Sequence, residues 1–115
     1  YSNDLNIDHQ IIHKAVLTAC RPQLSNRVKK ILCFETPSST EWETNSKGVS
    51  FSPNWYEDIS QTLSLKIEAL NIYKEEMRDW PHARSIKAIN YLARWRGSNV
   101  GVEAAEAFML IRKIH

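Results

Sequence analysis

Apolar residues recur at helical spacing from the eighth residue of the chain onward. Ile11, Ile12, Ala15, Val16 and Ala19 form one stripe, and Asp8 stands before them as a helix cap, so a helix with a buried face is predicted over residues 8–21. Pro22 closes it, because proline disfavours helical geometry in the residue before it. After a polar connection at 23–27, residues 28–34 form a mostly apolar run of strand length. A helix feeding such a strand predicts an α/β fold with a parallel sheet covered by helices.

Residues 36–50 are poor in apolar positions and read as a long loop leaving the C-terminal end of that strand. Loops of this length are uncommon in compact domains unless functional or disordered. Open α/β sheets bind their ligands at this edge. The loop carries Ser38, Ser39, Thr40, Glu41 and Trp42. Two readings are open: a ligand-binding loop, or a solvated connection in which Trp42 plugs a gap.

Val49, Ser50 and Phe51, and then residues 55–59, read as short extended pieces around Pro53 and Asn54. Ser60 is the expected cap of a long helix whose stripe is Ile59, Leu63, Ile67, Leu70, Tyr73 and Met77, ending by Trp80 before Pro81. Ser85 caps a further helix with Ile86, Ile89, Leu92 and Ala93 on its apolar face, and Gly97 is expected just past its end. Residues 100–111 carry conflicting signals. Ala104, Ala105 and Ala107 favour helix, whereas the alternation of Phe108, Leu110 and Arg112 favours a closing strand, which is the assignment adopted.

The 115 residues suit one domain, and 43% hydrophobic with 24% charged positions describe a globular chain. No run approaches the roughly 18 apolar residues of a spanning helix. Fifteen basic residues against thirteen acidic ones leave a net charge of +2, too little for a phosphate-backbone binder. A nucleic-acid face built on Arg94, Trp95 and Arg96 is disfavoured on that ground. The two cysteines, Cys20 and Cys33, are expected as buried free thiols in a reducing compartment, the cytoplasm. The chain opens on Tyr1 in what reads as a loop, so it is expected to be the later part of a longer product.

The chemistry-bearing stretch is Asp4-Leu5-Asn6-Ile7-Asp8-His9, with His13 one turn further along. An imidazole held beside a carboxylate is a common metal ligand, because the carboxylate fixes its tautomer. Two histidines at i and i+4 of a helix are more often a plain surface pair.

Four stretches in order carry a resemblance. They are Asp4 to His9, Phe34-Glu35-Thr36-Pro37-Ser38-Ser39-Thr40-Glu41-Trp42, Pro81-His82-Ala83-Arg84-Ser85, and the segment from Arg96-Gly97-Ser98-Asn99 through Glu103-Ala104-Ala105-Glu106-Ala107-Phe108. Together they resemble the C-terminal half of the PIG-L (LmbE-like) deacetylases. That resemblance implies a Rossmann-like parallel sheet with flanking helices. It also implies a zinc-dependent hydrolase that removes the N-acetyl group from N-acetylglucosamine-type conjugates.

In that family zinc is held by an early His-Pro-Asp-Asp motif, which also supplies the general base, and by the His of a later Asp-His pair. Here the later ligand corresponds to His9. The early motif does not occur in this sequence, so those groups are expected before Tyr1, in the N-terminal part of the domain. Many relatives carry a His three residues before the ligand; here Asn6 stands there, able to donate to an oxyanion but not to act as an acid. His82 is the candidate for that acid role.

The loop from Ser38 to Trp42 is the candidate sugar-binding segment. Arg84 is either a contact for a substrate phosphate or carboxylate or an ion pair with Glu103 or Glu106. His13 and the terminal His115 receive no catalytic role. The rival reading is a non-enzymatic fragment or degenerate relative serving as an interaction module, and self-association stays open.

Overall fold

Asn6, not Asp8, caps the first helix. Its backbone is extended and its side chain accepts from the Asp8 amide at 2.9 Å, so α1 begins at Ile7 and runs to Ala19. The shift has a simple cause. An Asn side chain two residues ahead of a free helix amide can accept from it, and Asp8 then falls in the first turn, where a carboxylate suits the helix dipole. The computed structural model describes residues 1–44 and 50–115; of the extended piece expected at Val49, Ser50 and Phe51, Val49 lies outside the described residues and the other two form no strand.

The chain divides into two units, Tyr1–Asn54 with Phe108–His115, and Trp55–Ala107. The elements run in the order α1, β1 (Lys30–Phe34), β2 (Trp55–Asp58), α2 (Leu63–Ile72), α3 (Ile86–Ser98) and β3 (Ala105–Lys113). The result is a mixed α/β arrangement, but its sheet is not the parallel one expected. The strand order is β1-β3-β2, and β1 pairs with β3 antiparallel from Lys30 opposite Lys113 to Phe34 opposite Phe108. A register irregularity lies between Ile31 and Leu32. The helix-to-strand order correctly located β1. Its principal partner is the closing strand at the far end of the sequence, which a local reading of residues 8–34 does not contain.

In the first unit, Ile31 and Cys33 are buried on one face of β1. Arg112 of β3 donates to the Cys20 carbonyl at 2.6 Å, fastening that strand to the end of α1, and the Ile114 amide donates to the Lys29 carbonyl at 2.8 Å just before β1. The expected buried stripe of α1 is not realised within this chain: no α1 residue is buried, and Ile11 and Ile12 are each 58% exposed. Cys20 and Cys33 are free thiols, of which Cys33 is buried.

In the second unit, Leu63, Ala93 and Ala104 form the core, with Ile59 and Ile67 packed against them. The helix expected to reach Trp80 stops at Ile72, with Tyr73 as its C-cap. Turn hydrogen bonds from the Glu76 and Met77 amides to the Tyr73 carbonyl take over, and the Arg78 guanidinium caps the carbonyls of Glu75 and Met77. Ser60 does not cap α2; it donates through both amide and hydroxyl to Asp58, while the Ile59 carbonyl receives the Thr62 and Leu63 amides. Those two donors hold the Asp58 carboxyl below its ordinary range.

Ser85 caps α3 as expected, its hydroxyl accepting from the Ala88 amide at 3.0 Å. Gly97 is not a residue past the helix end. It lies inside α3, and a Cβ there would stand 2.6 Å from the Val102 carbonyl oxygen and 2.7 Å from the Ala104 Cα. The glycine serves close approach. The closing strand is present as β3, with Ala105 and Ala107 buried on one side. No helix of the described residues is long and apolar enough to cross a membrane.

Candidate functional site

Asp4 is the most deeply buried polar residue described, with no exposed surface. A carboxylate in that setting needs donors, and the local sequence supplies them. The Asn6 amide donates to Oδ1 at 3.0 Å, closing an Asx-type turn, and the Thr40 hydroxyl donates to Oδ2 at 3.0 Å. Gln10 donates from Nε2 to the Asp4 carbonyl at 2.6 Å. The Leu5 amide donates to the Ser39 carbonyl at 3.2 Å, a second tie between this turn and the loop leaving β1.

His9 lies in the first turn of α1, and its Nδ1 stands 3.2 Å from Asp4 Oδ2. The approach is too bent for a fully formed hydrogen bond, yet Nδ1 is sealed from solvent and has no other partner. The predicted ligand is thus backed by a carboxylate, though by Asp4 rather than by its sequence neighbour Asp8, which is exposed. Asn6 is exposed and spends its Oδ1 on the cap; its Nδ2 is the remaining donor.

The loop residues divide by role. Ser39 is 8% exposed, and Thr40 accepts from the Thr36 amide at 2.7 Å while donating to Asp4, so these two are built into the support of the site. Ser38 adopts a left-handed φ of 69°, and its amide donates to the Glu41 carboxylate at 2.6 Å. Trp42 is 50% exposed, so its indole is not a fully buried plug. Ser38, Glu41 and Trp42 are the members of the stretch left to meet a ligand.

A cavity of about 160 Å³ opens between α1 and β1, bounded by Tyr1, His9, Ile12, His13, Leu17 and Cys33 among others. His13 Nδ1 is 3.5 Å from Cys33 Sγ inside it. Burial lowers the His13 pKa and raises that of the Cys33 thiol, so the pair is neutral and is not a thiolate nucleophile with its imidazolium.

His82 and Arg84 belong to the second unit. The His82 Nδ1 accepts from the Arg84 amide at 3.0 Å, which puts the proton of the neutral ring on Nε2. Arg84 is paired with Glu76 at 3.0 Å. The partners considered from sequence are engaged elsewhere, Glu103 with Arg94 and Glu106 with Lys66 at 2.6 Å. Arg84 Nε is buried with no hydrogen-bond partner.

Among the described residues no three of His, Cys, Asp and Glu converge to hold a metal ion. His9 can supply one ligand, and the donor chemistry of an imidazole backed by a buried carboxylate fits zinc at that one position. Asp4 and Gln10 are the site residues that sequence reading did not assign. The Asp-x-Asn turn was the available signal for Asp4; its partner Thr40 lies 36 residues away and gave none. No family model, curated protein or solved structure matches the chain.

Proposed function

We propose that this chain is the C-terminal portion of a zinc-dependent hydrolase that removes the N-acetyl group from an N-acetylglucosamine-type conjugate. The observation that carries the reading is His9, in the first turn of a helix and backed by the fully buried carboxylate of Asp4. It is supported by the resemblance of four ordered stretches to the PIG-L (LmbE-like) deacetylases.

His9 would be one zinc ligand, the others and the general base coming from the N-terminal part of the domain. Zinc, when bound, supplies a Lewis acid for the acetyl carbonyl and an activated water. Asn6 then offers its Nδ2 as a hydrogen-bond donor to the developing oxyanion. Ser38, Glu41 and Trp42 take the sugar, with hydroxyl contacts from the polar side chains and a ring-face contact on the indole.

β1 stands at one end of the strand order, and further strands would join there. The free thiols Cys20 and Cys33 suit a reducing compartment such as the cytoplasm.

The exposed apolar residues of α1, with Ile7 at 69% and Val16 at 42%, favour packing against further protein. That also suits the second reading, a non-enzymatic relative acting as an interaction module. Zinc-dependent release of acetate from N-acetylglucosamine conjugates by the full-length product separates the two. Acetate release lost on chelation supports the hydrolase, whereas a zinc-free, inactive protein supports the interaction module.

A further inference from the structure

We propose that Asp4 is a positioning residue that holds the neutral His9 ring in the Nδ1–H tautomer, leaving Nε2 as the outward, electron-pair-bearing atom. The consequence for zinc rests on the function proposed above; the tautomer itself does not.

The argument starts from what surrounds the Asp4 carboxylate. It has no exposed surface, so its oxygens must be served by the protein. The Asn6 amide and the Thr40 hydroxyl reach one oxygen each, both at 3.0 Å. Thr40 has only one proton to give. Its oxygen already accepts from the Thr36 amide at 2.7 Å, so that proton is directed at Asp4. These two donors fix the rotation of the carboxylate, and the Gln10 contact to the Asp4 carbonyl holds its backbone.

The remaining neighbour of Oδ2 is His9 Nδ1 at 3.2 Å, closed off from water and without another partner. An unprotonated Nδ1 would aim a lone pair at a carboxylate oxygen in a buried setting. A protonated Nδ1 brings its N–H dipole to the same oxygen, an attractive contact with the carboxylate even at a bent angle, which is the favourable arrangement. A neutral histidine side chain in water prefers its proton on Nε2, so the arrangement at His9 is imposed by the protein. His82 is held the opposite way, since its Nδ1 accepts from the Arg84 amide. One chain therefore carries two histidines of opposite tautomer, each fixed by a named partner.

The test is the nitrogen–proton correlation spectrum of the imidazole rings in this chain at alkaline pH, where neutral rings dominate. His9 is expected as Nδ1–H and His82 as Nε2–H in the same spectrum. In Asp4→Asn the His9 ratio of Nδ1–H to Nε2–H should fall about tenfold, the loss of the contact with the charged carboxylate, while unchanged His13 signals report that the first unit keeps its fold. A wild-type His9 found mainly as Nε2–H overturns the proposal without any variant. An unchanged His9 ratio in a folded Asp4→Asn protein overturns it as well. Nδ1–H at His9 in a full-length product that binds no zinc would keep the positioning role and remove the zinc reading.

Discussion

The Thr40 hydroxyl and the Asp4 carboxylate meet at 3.0 Å across 36 residues of sequence, and that contact joins the loop after β1 to the turn before α1. Removing the carboxylate strands three groups at once: the Asn6 amide, the Thr40 hydroxyl and His9 Nδ1. Asp4→Ala is expected to cost about 3 kcal/mol, the scale of buried polar groups left without partners. Denaturant unfolding checks it, and a loss under about 1 kcal/mol would mean that water serves these groups instead.

Gly97 gives the clearest packing prediction. Alanine is the better helix former by about 1 kcal/mol, which alone would make Gly97→Ala stabilising. The added Cβ would stand 2.6 Å from the Val102 carbonyl oxygen and 2.7 Å from the Ala104 Cα, both backbone atoms that cannot swing aside. Sterics win, and a net loss of about 1–3 kcal/mol is expected in thermal unfolding. A rise in Tm would contradict the close approach of α3 to the segment before β3.

Trp42 separates a binding role from a packing one. A half-exposed indole leaves little core to lose, so Trp42→Ala is expected to change stability by less than about 1 kcal/mol. Turnover of the sugar conjugate by the full-length product should fall in the same variant. Normal turnover would remove Trp42 from the sugar site, and a loss of about 3–5 kcal/mol would restore it to the core.

Two pH limits follow from the cavity between α1 and β1. Burial lowers the His13 pKa from its ordinary 6.5, so the unfolded chain binds this proton more readily. The His13 contribution is therefore intact above 6.5 and is lost as pH falls from there through the folded pKa. Burial raises the Cys33 thiol above its ordinary 9.0, so its contribution is intact below that value and is lost as pH rises through it. Stability measured against pH should show both limbs, with His13→Gln flattening the acid one and Cys33→Ser the alkaline one.

The sequence made some of this legible and hid the rest for physical reasons. Ser85 announced α3 because a cap followed by apolar spacing is a local signal, and its hydroxyl does accept the Ala88 amide. β3 was recognisable from the alternation of Phe108, Leu110 and Arg112, although its alanines argued for helix; pairing with β1 decides the matter. The sense of that pairing was not legible, because nothing near residues 28–34 says which strand will lie beside them.

The apolar stripe running on to Met77 overstated α2, since periodicity does not reveal that Arg78 will cap the carbonyls of Glu75 and Met77. At the candidate site His9 could be read from its place in the first turn of a helix. Asp4 showed only its Asp-x-Asn turn; its burial was not legible, because it is decided by partners as distant as Thr40.

The role of His9 as a zinc ligand is tested most directly by the zinc content of the purified full-length product, measured by elemental analysis beside its His9→Ala and His13→Ala variants. Stoichiometric zinc is expected in the unaltered protein and in His13→Ala, with zinc largely lost from His9→Ala. Full zinc retention in His9→Ala, or no zinc in the unaltered protein, would contradict it.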